Sequence, residues 1–438
     1  MASPDNPLAS PTSGTDGYRY VVVVVLSLTY MLNFIDRQLL SVLAEPVKLE
    51  LGLSDTQLGM LTGLTFALFY TVFGIPLAAL ADRWNRVRII AIACGVWSLF
   101  TAASGMASNF LTLALARMGV GVGEAGCSPP SYSVLADYFP PEKRGRALAI
   151  YMLGVPIGSL VGTMAGAWIA AHYGWRAAFL SVGVVGLLFA PLIVLLVREP
   201  RRGQSDGGIS LVSAAARPEG KASTWDAFRF FFRSRTIILN AVACGLTAFV
   251  SYGILNWAPA YLGRVQGMPL SQIASHYGLA IGVAMVIAAW LGAVVADRLG
   301  ARNPMNYALM PALGLVISTP FLFGFTLADS WQVALACLFV PLVLTHIYLV
   351  PAIALLQNRT PQQYRATASA LVLFLINLIG LGCGPLFVGV VSDALEPRFG
   401  ADSLRYALQW LTPFIVLAVA CQIATAWSLR RDQARAAA

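Results

Sequence analysis

Twelve apolar stretches, each long enough to cross a lipid bilayer as a helix, are the strongest constraint that this sequence places on its fold. A membrane-spanning helix needs roughly 20 mostly apolar residues. Because the apolar sequence lies in segments of this length, the pattern predicts an all-α membrane protein and not a barrel of short alternating strands. The predicted spans are residues 20–45, 56–81, 88–107, 110–138, 146–172, 176–197, 236–262, 272–297, 304–327, 331–356, 366–393 and 406–429.

The composition agrees with a chain whose main solvent is lipid. Of the 438 residues, 58% are hydrophobic and 11% charged, whereas a soluble domain carries about 25% charged residues. The six cysteines have no CxxC pairing, and His172, His276 and His346 are scattered. The spacing offers neither a metal site nor a Ser-His-Asp set. We therefore expect no cofactor, no metal and no enzymatic activity.

The positions of the basic residues predict the topology. Most of the 29 lysines and arginines lie in the two tails and in the even-numbered connections between spans. The positive-inside rule then places both termini in the cytoplasm and the protein in the inner (cytoplasmic) membrane. The net charge of +9 follows from this topology, without nucleic acid as a partner. The basic residues in connections on the other side are Lys48, Arg176, Arg264, Arg398 and Arg405.

The longest polar stretch divides the spans into two groups of six. It begins with "REPRRGQSDGG", which is typical of a flexible linker. It ends in "WDAFRFFFRSR", which is either a short helix on the cytoplasmic interface or only the approach to the seventh span. The predicted divisions are a disordered tail at 1–17, a six-helix half at 18–197, a linker at 198–235, a second half at 236–430 and a tail at 431–438.

Two pairs of motifs repeat between the halves. "LAALADRWNRVR" after the second span matches "LGAVVADRLGARN" after the eighth, and this match aligns Asp82 with Asp297. "PPEKRGRALA" matches "TPQQYRATASA", and this match aligns Arg144 with Arg365. The two aligned pairs are separated by nearly the same length of chain. Nearly equal offsets indicate duplicated halves, which should be related by a pseudo-two-fold axis along the membrane normal.

Four ionisable residues lie deep within two of the predicted spans. They are Asp36 and Arg37 in the first and Arg117 and Glu124 in the fourth, with Asn33 one turn before the first pair. Each charge at a helix centre costs on the order of 2.5–3.5 kcal/mol. The two polar faces predict a polar cavity shared by these helices; the alternative is structural ion pairing that holds the helices together.

The loop motifs resemble those of the major facilitator superfamily, whose signature after the second helix is roughly G-x3-D-R-x-G-R-R/K. Ala78 and Asn85 stand at the two glycine positions, while Asp82, Arg83 and Arg86 match. The resemblance covers the chain from about residue 18. It implies twelve transmembrane helices in two pseudo-symmetric six-helix bundles that work by alternating access.

The two copies of the Asp-Arg motif predict a cytoplasmic gate. Asp82, Arg83 and Arg86 in one half and Asp297 and Arg298 in the other lie at register-matched helix ends. Contacts between them should form in the outward-open state and part in the inward-open state, and so bias the equilibrium between the two.

"NFIDR" in the first span and "ARMGVGVGEAGCSPPSYSVLADYF" in the fourth resemble the spinster branch of the superfamily. The resemblance implies proton-coupled transport of an amphiphilic lipid, such as a sphingolipid or lysophospholipid, by a cavity lined by Asp36, Arg37, Arg117 and Glu124. Burial favours the protonated form of a carboxylate, and a nearby arginine favours the ionised form.

From this balance we expect Asp36 to be the main proton-responsive group, with Arg37 setting its affinity and Glu124 as a second carboxylate. Asn33, Arg37, Arg117 and Ser128 are the candidate substrate contacts. We expect the protein to act as a monomer.

The second half supports an amphiphile independently of the resemblance. The central portions of its spans carry only neutral polar groups, namely Tyr252, Asn256, Trp257, His346 and Asn377. A cavity that is charged on one wall and apolar on the other suits a substrate with a charged head and an apolar tail. The alternative is a proton symporter of a small organic anion, anchored by Arg37 and Arg117.

Overall fold

A computed structural model describes residues 15–205 and 224–437, and the chain in these ranges is helical with short connections. Eleven continuous helical segments are long and apolar enough to cross a membrane, and the last, Thr367–Ala434, is long enough for two passes. The twelve predicted spans are therefore confirmed. The first six are α1 (Thr15–Val42), α2 (Asp55–Ala81), α3 (Arg86–Ser104), α4 (Phe110–Tyr138), α5 (Pro141–Tyr173) and α6 (Trp175–Leu196).

The second six spans follow a short helix, Thr224–Arg233, which we call the linker helix. They are α7 (Arg235–Arg264), α8 (Leu270–Gly300), α9 (Asn306–Leu327), α10 (Trp331–Arg359), α11 (365–399) and α12 (Thr412–Ala437).

Two of the predicted divisions differ from the structure where it describes them. The stretch 198–205 is packed against the first half rather than flexible, because Glu199 is a counter-ion of the buried Arg86 and Arg202 donates to the carbonyl oxygen of Ala81. The tail predicted at 431–438 continues α12 as far as Ala437, since its residues are mostly good helix formers. The tail predicted at 1–17 lies outside the described residues up to 14, as does the rest of the linker at 206–223.

Glycines let α5 lie against α1 inside the first half. A Cβ at Gly154, Gly158 or Gly162 would lie 2.5–2.8 Å from backbone atoms of α1. Small residues at four-residue spacing permit this close approach. This packing fixes the rotation of α1 about its own axis. It therefore determines which side chains of α1 point into the first half.

The duplication predicted from the motifs is visible in the helices. α4 is interrupted at residues 125–127 and α10 at residues 345–348, which is nearly the same separation along the chain as that of Arg144 from Arg365. Arg144 Nε donates to the carbonyl oxygens of Ala136 and Phe139 at the end of α4, and Arg365 Nε donates to the carbonyl oxygen of Thr360 at the end of α10. Equivalent arginines thus cap equivalent helices.

Both ends of the described chain lie on one side of the helical bundle, here called the terminus side. Tyr18 near the start of α1 bonds to the carbonyl oxygen of Leu196 at the end of α6, and Thr236 at the start of α7 bonds to Asp432 near the end of α12. The hydrogen bonds and ion pairs found between the two halves in the described residues all lie towards the opposite side.

Candidate functional site

The four buried ionisable residues of α1 and α4 meet as two ion pairs. Arg117 Nη1 donates to Asp36 Oδ2 at 3.2 Å, and Arg37 Nε donates to Glu124 Oε2 at 2.7 Å. The two polar faces therefore meet through ion pairs, and the shared polar cavity stays a prediction. The pairing differs from the expectation that Arg37 accompanies Asp36, because consecutive helical side chains point about 100° apart.

The two ion pairs differ in exposure. The side chains of Arg117 and Asp36 are 2% and 1% exposed, so this pair is enclosed by the first half. The side chain of Arg37 is 18% exposed, while its partner Glu124 is fully buried. Arg37 is therefore the charged group of the set that a molecule between the halves could reach.

Aromatic rings surround the Arg37 guanidinium. Its central carbon lies 4.8 Å from the ring centroid of Phe66, 4.9 Å from that of Tyr70 and 5.0 Å from that of Phe34. Phe66 also lies 5.4 Å from the guanidinium of Arg117. Such cation–π contacts stabilise a desolvated cation without neutralising it, so Arg37 keeps its charge for an anion.

Some buried polar atoms of this site have no hydrogen-bond partner. Glu124 Oε1, Arg117 Nε and Asn33 Oδ1 are buried and have no hydrogen-bond partner in the described chain. Unpaired buried polar atoms are costly in a structural ion-pair cluster. They are expected where water, a proton or a substrate group occupies the site during part of a cycle.

Thr101 of α3 is a site residue that the sequence did not indicate. Its hydroxyl donates to Asp36 Oδ1 at 2.9 Å, and Asp36 is thereby held by helices α3 and α4 together. The sequence does not single out Thr101, because Ser98 and Ser104 are equally polar neighbours on the same helix.

A group of stacked tyrosines was also missed. Tyr30 of α1 stacks on Tyr151 of α5 with ring centroids 4.6 Å apart, and Tyr132 of α4 meets Tyr151 edge-on at 5.4 Å. Tyrosine combines a large apolar surface with one polar atom. The group packs in the core of the first half, where Tyr151 is fully buried. Ser128 opens the second segment of α4 and is half-buried, outside the ion pairs.

The second half presents a neutral version of the same contact. Ser251 of α7 and His346 Nε2 of α10 are 2.9 Å apart, and Thr345 donates to Ser251 at 3.3 Å. Ser251 follows Asp36 at the same offset that separates the two Asp-Arg motifs, and Thr345 follows Glu124 at the offset of the two capping arginines. α7 and α10 of the second half therefore meet at the position that corresponds to the contact between α1 and α4 in the first half.

Towards the opposite side an ionic network joins the halves, and we call it the latch. Arg264 at the end of α7 donates to both carboxylate oxygens of Asp55 at 2.6 and 2.8 Å and to Glu45 at 2.9 Å. Lys48 Nζ and Ser392 Oγ also donate to Asp55, at 2.7 and 2.6 Å. A bidentate arginine–carboxylate pair is geometrically specific, so the latch fixes one arrangement of the halves.

Backbone atoms take part in the latch. Asp393 of α11 accepts hydrogen bonds from the backbone N–H groups of Asp55 and Thr56, at 2.8 and 2.7 Å. A carboxylate at a helix N-terminus satisfies orphan donors and complements the helix dipole. One half therefore caps a helix of the other.

Close backbone packing extends the latch along α2 and α11. A Cβ at Gly59 would lie 2.6 Å from the carbonyl oxygen of Pro385, and one at Gly63 would lie 2.6 Å from that of Gly382. The halves are therefore closed towards the opposite side. Sequence reasoning missed the latch, although Lys48 and Arg264 stood out as two of the few basic residues on that side.

The predicted gate residues lie at the terminus side without contacting the other half. Asp82, Arg83, Asp297 and Arg298 are exposed and form no ion pair within the described ranges. Arg86 is buried and pairs with Asp137 and Glu199 of its own half. The prediction that these residues join the halves in another state stays a prediction.

Groups of three or more histidine, cysteine, aspartate or glutamate side chains that could hold a metal ion do not occur in the described part of the chain. The polar atoms of the site are a guanidinium, carboxylates, hydroxyls and amides. They can exchange protons and bind a charged group.

Comparison with known proteins gives one family and several relatives. The family model of the Major Facilitator Superfamily matches residues 26–382. An MFS-type efflux pump of Mycolicibacterium smegmatis is 33% identical over 446 residues, covering 99% of each chain. The human Protein spinster homolog 1 is 29% identical, with 97% of this chain and 84% of the human protein covered.

A solved structure shares the fold in detail. A bacterial homologue of the human lysosomal transporter spinster, in an inward-facing and unoccupied conformation, superimposes with a TM-score of 0.85. The two chains are 31% identical, and the match covers 95% of this chain and 98% of the other.

Proposed function

The chain belongs to the Major Facilitator Superfamily and is a spinster-type transporter, and from that premise we propose that it couples a proton to the movement of an amphiphilic lipid. The cargo is a sphingolipid- or lysophospholipid-like molecule. Transport proceeds by alternating access across the inner membrane, and the terminus side faces the cytoplasm. The last assignment rests on the excess of lysine and arginine in the connections on that side.

The observation that carries the proposal is the unequal state of the two ion pairs. Asp36 is held by Arg117 and Thr101 inside the first half, whereas Arg37 is partly exposed and Glu124 keeps one oxygen unpaired. An anionic head group that binds Arg37 would release the Glu124 carboxylate, which adds an uncompensated negative charge close to Asp36. Because a nearby like charge favours the protonated form of a carboxylate, we expect Asp36 to take up the proton. Substrate binding and proton uptake are thereby linked through one arginine.

The rest of the wall supports an apolar tail. The second half offers Ser251, Tyr252 and His346 but no buried charge at this level, and the first half adds the stacked tyrosines. A small organic anion, carried by a proton symporter and anchored by Arg37 and Arg117, is the second candidate. The enclosure of Arg117 by Asp36 disfavours it, because only one of the two arginines is reachable.

Flux measurements on the purified protein in proteoliposomes test the proposal. A panel of lysolipids and small organic anions is offered with and without a pH gradient. We expect a gradient-driven flux of at least one lysolipid, blocked by an added proton carrier. Flux of small anions alone would favour the symporter, and lysolipid flux that ignores the gradient would remove the proton coupling.

The state of the molecule supports a role for the latch in this cycle. The halves are joined towards the opposite side and have no ion pairs with each other at the terminus side in the described residues. With the terminus side assigned to the cytoplasm, we take this arrangement as the inward-open state of the proposed cycle. We expect Asp82→Ala to shift the population further inward and Arg264→Gln to shift it outward. Distances between spin labels on the two halves measure both shifts, and an unchanged distribution for Asp82→Ala would remove the cytoplasmic gate from the proposal.

A further inference from the structure

The linker helix carries three different faces. Ala227 and Phe231 are 2% and 1% exposed, and Phe231 packs among buried residues of α7, α10 and α11. The ring of Phe230 lies 5.6 Å from that of Tyr364, just before α11. This face docks the helix on the second half.

A second face is apolar but exposed. Phe228 and Phe232 stack along the helix with centroids 6.4 Å apart, and Phe232 is 60% exposed. Phe232 meets Phe231 edge-on, but most of its surface is not used for packing within the described chain. A solvated aromatic pair of this kind is unfavourable in water and indicates a binding surface.

The third face is basic. Arg229 and Arg233 are exposed next to the phenylalanine pair, and neither forms an ion pair with a described carboxylate. Asp226 is the only acidic residue of the helix. An apolar face bordered by arginines is the pattern of a helix that lies in a membrane interface.

The position of the helix defines what covers these faces. It ends at Arg233, and the span α7 begins at Arg235 after the capping residue Ser234. The helix therefore lies at the level where the bilayer begins on the terminus side. At this level an outward apolar face meets the boundary between head groups and acyl chains.

We propose that the linker helix binds anionic phospholipids of the terminus-side leaflet. Phe228 and Phe232 insert below the head groups, and Arg229 and Arg233 contact the phosphates. Because Ala227 and Phe231 fix the helix to the second half, the lipid contact anchors that half to the membrane surface and leaves the first half free to tilt against it. The anchor does not depend on what the chain transports.

Photo-crosslinking in the full-length protein tests this anchor. The photoreactive residue p-benzoyl-L-phenylalanine replaces Phe232, and the protein is reconstituted in vesicles of phosphatidylcholine with one-fifth phosphatidylglycerol. The matched control carries the same residue in place of Val316, which is 53% exposed in the middle of α9. Adducts are identified by mass spectrometry.

We expect lipid adducts at both positions but enrichment of phosphatidylglycerol only at position 232. Each arginine near the surface should contribute on the order of fivefold to the preference. Adding Arg229→Gln and Arg233→Gln should reduce the phosphatidylglycerol share to that at position 316 while adducts persist. Equal shares at the two positions in the unchanged background, or no lipid adducts at position 232, would overturn the proposal.

Discussion

The two halves of the molecule make the same contact with different chemistry. In the first half α1 and α4 meet through Arg37 and Glu124 at 2.7 Å, and in the second half α7 and α10 meet through Ser251 and His346 at 2.9 Å. The repeat offsets align Ser251 with Asp36 and Thr345 with Glu124, so each residue of the second contact lies within one residue of its counterpart in the first. Duplication has thus preserved the contact between equivalent helices, while at this contact only the first half carries buried charges.

This difference in charge indicates that the two halves have different roles. A charged pair inside a membrane changes its energy strongly when a proton or an ion arrives, whereas a neutral hydrogen bond changes little. The first half is therefore suited to respond to protons and head groups. Under the proposed function, the second half would supply a wall that accommodates an apolar tail.

The largest effect is expected from removing one member of the enclosed ion pair. Arg117→Leu would leave Asp36 as an uncompensated buried charge, which costs about 3–5 kcal/mol. The equivalent region of the second half should be far less sensitive, with about 0.5–1.5 kcal/mol for Ser251→Ala. Thermal unfolding of the purified variants measures the difference.

The double variant Asp36→Asn with Arg117→Leu is the control for this stability prediction. It removes both charges, and much of the lost stability should return. Equal losses of stability for Arg117→Leu and Ser251→Ala would show that the difference in buried charge between the halves does not affect stability.

The next effect concerns coupling. Asp36→Asn imitates the protonated carboxyl and keeps the hydrogen bond with Thr101 available, so the protein should fold but lose its response to a pH gradient. A gradient of one pH unit corresponds to a factor of about ten per coupled proton. Accumulation of a transported lysolipid in proteoliposomes measures this loss.

Ser251→Ala, at the equivalent position of the second half, is its matched control and should keep the gradient response. If Asp36→Asn retains full gradient-driven flux, Asp36 is not the coupling residue, and Glu124 becomes the first candidate.

A smaller effect is expected at Glu124. Glu124→Gln replaces a charged hydrogen bond to Arg37 by a neutral one and should reduce flux by roughly threefold to tenfold, in line with about 1 kcal/mol for one such contact. The pH response should survive because Asp36 is unchanged. Initial rates at several pH values separate a loss of rate from a loss of coupling, and complete loss of the response would move the proton site to Glu124.

The smallest effect is expected at His346. His346→Gln keeps a side chain that can hydrogen-bond Ser251, so flux and pH response should change by less than about twofold. The same initial-rate measurement is used. A large change in pH response would show that the second half also takes part in proton coupling.

Much of this fold follows from the sequence, because span length and motif offsets depend on position along the chain. The twelve spans and the meeting of α1 with α4 are recorded in spacing along the chain. The crosswise pairing of Asp36 with Arg117 is not recorded there. It depends on the azimuth of α1, which the glycines of α5 set by close packing.

The latch was unpredictable for a different reason. Asp55 and Asp393 are separated by most of the chain, and their contact exists only in one arrangement of the two halves. Likewise Asp82 and Asp297 could be matched in sequence, but in this arrangement they remain apart. The matched spacing of Asp82 and Asp297 does not depend on how the halves are arranged. A structure shows only the contacts of one arrangement.

Because Asp393 caps the N-terminus of α2, opening of the latch requires hydration of that helix end. When the halves separate, the N–H groups of Asp55 and Thr56 lose their carboxylate partner, and solvent must hydrate them. Opening therefore takes up water at the helix end, so that the equilibrium depends on water activity. Excluded osmolytes favour burial over hydration of such groups, so we expect them to favour the arrangement in which the latch is closed.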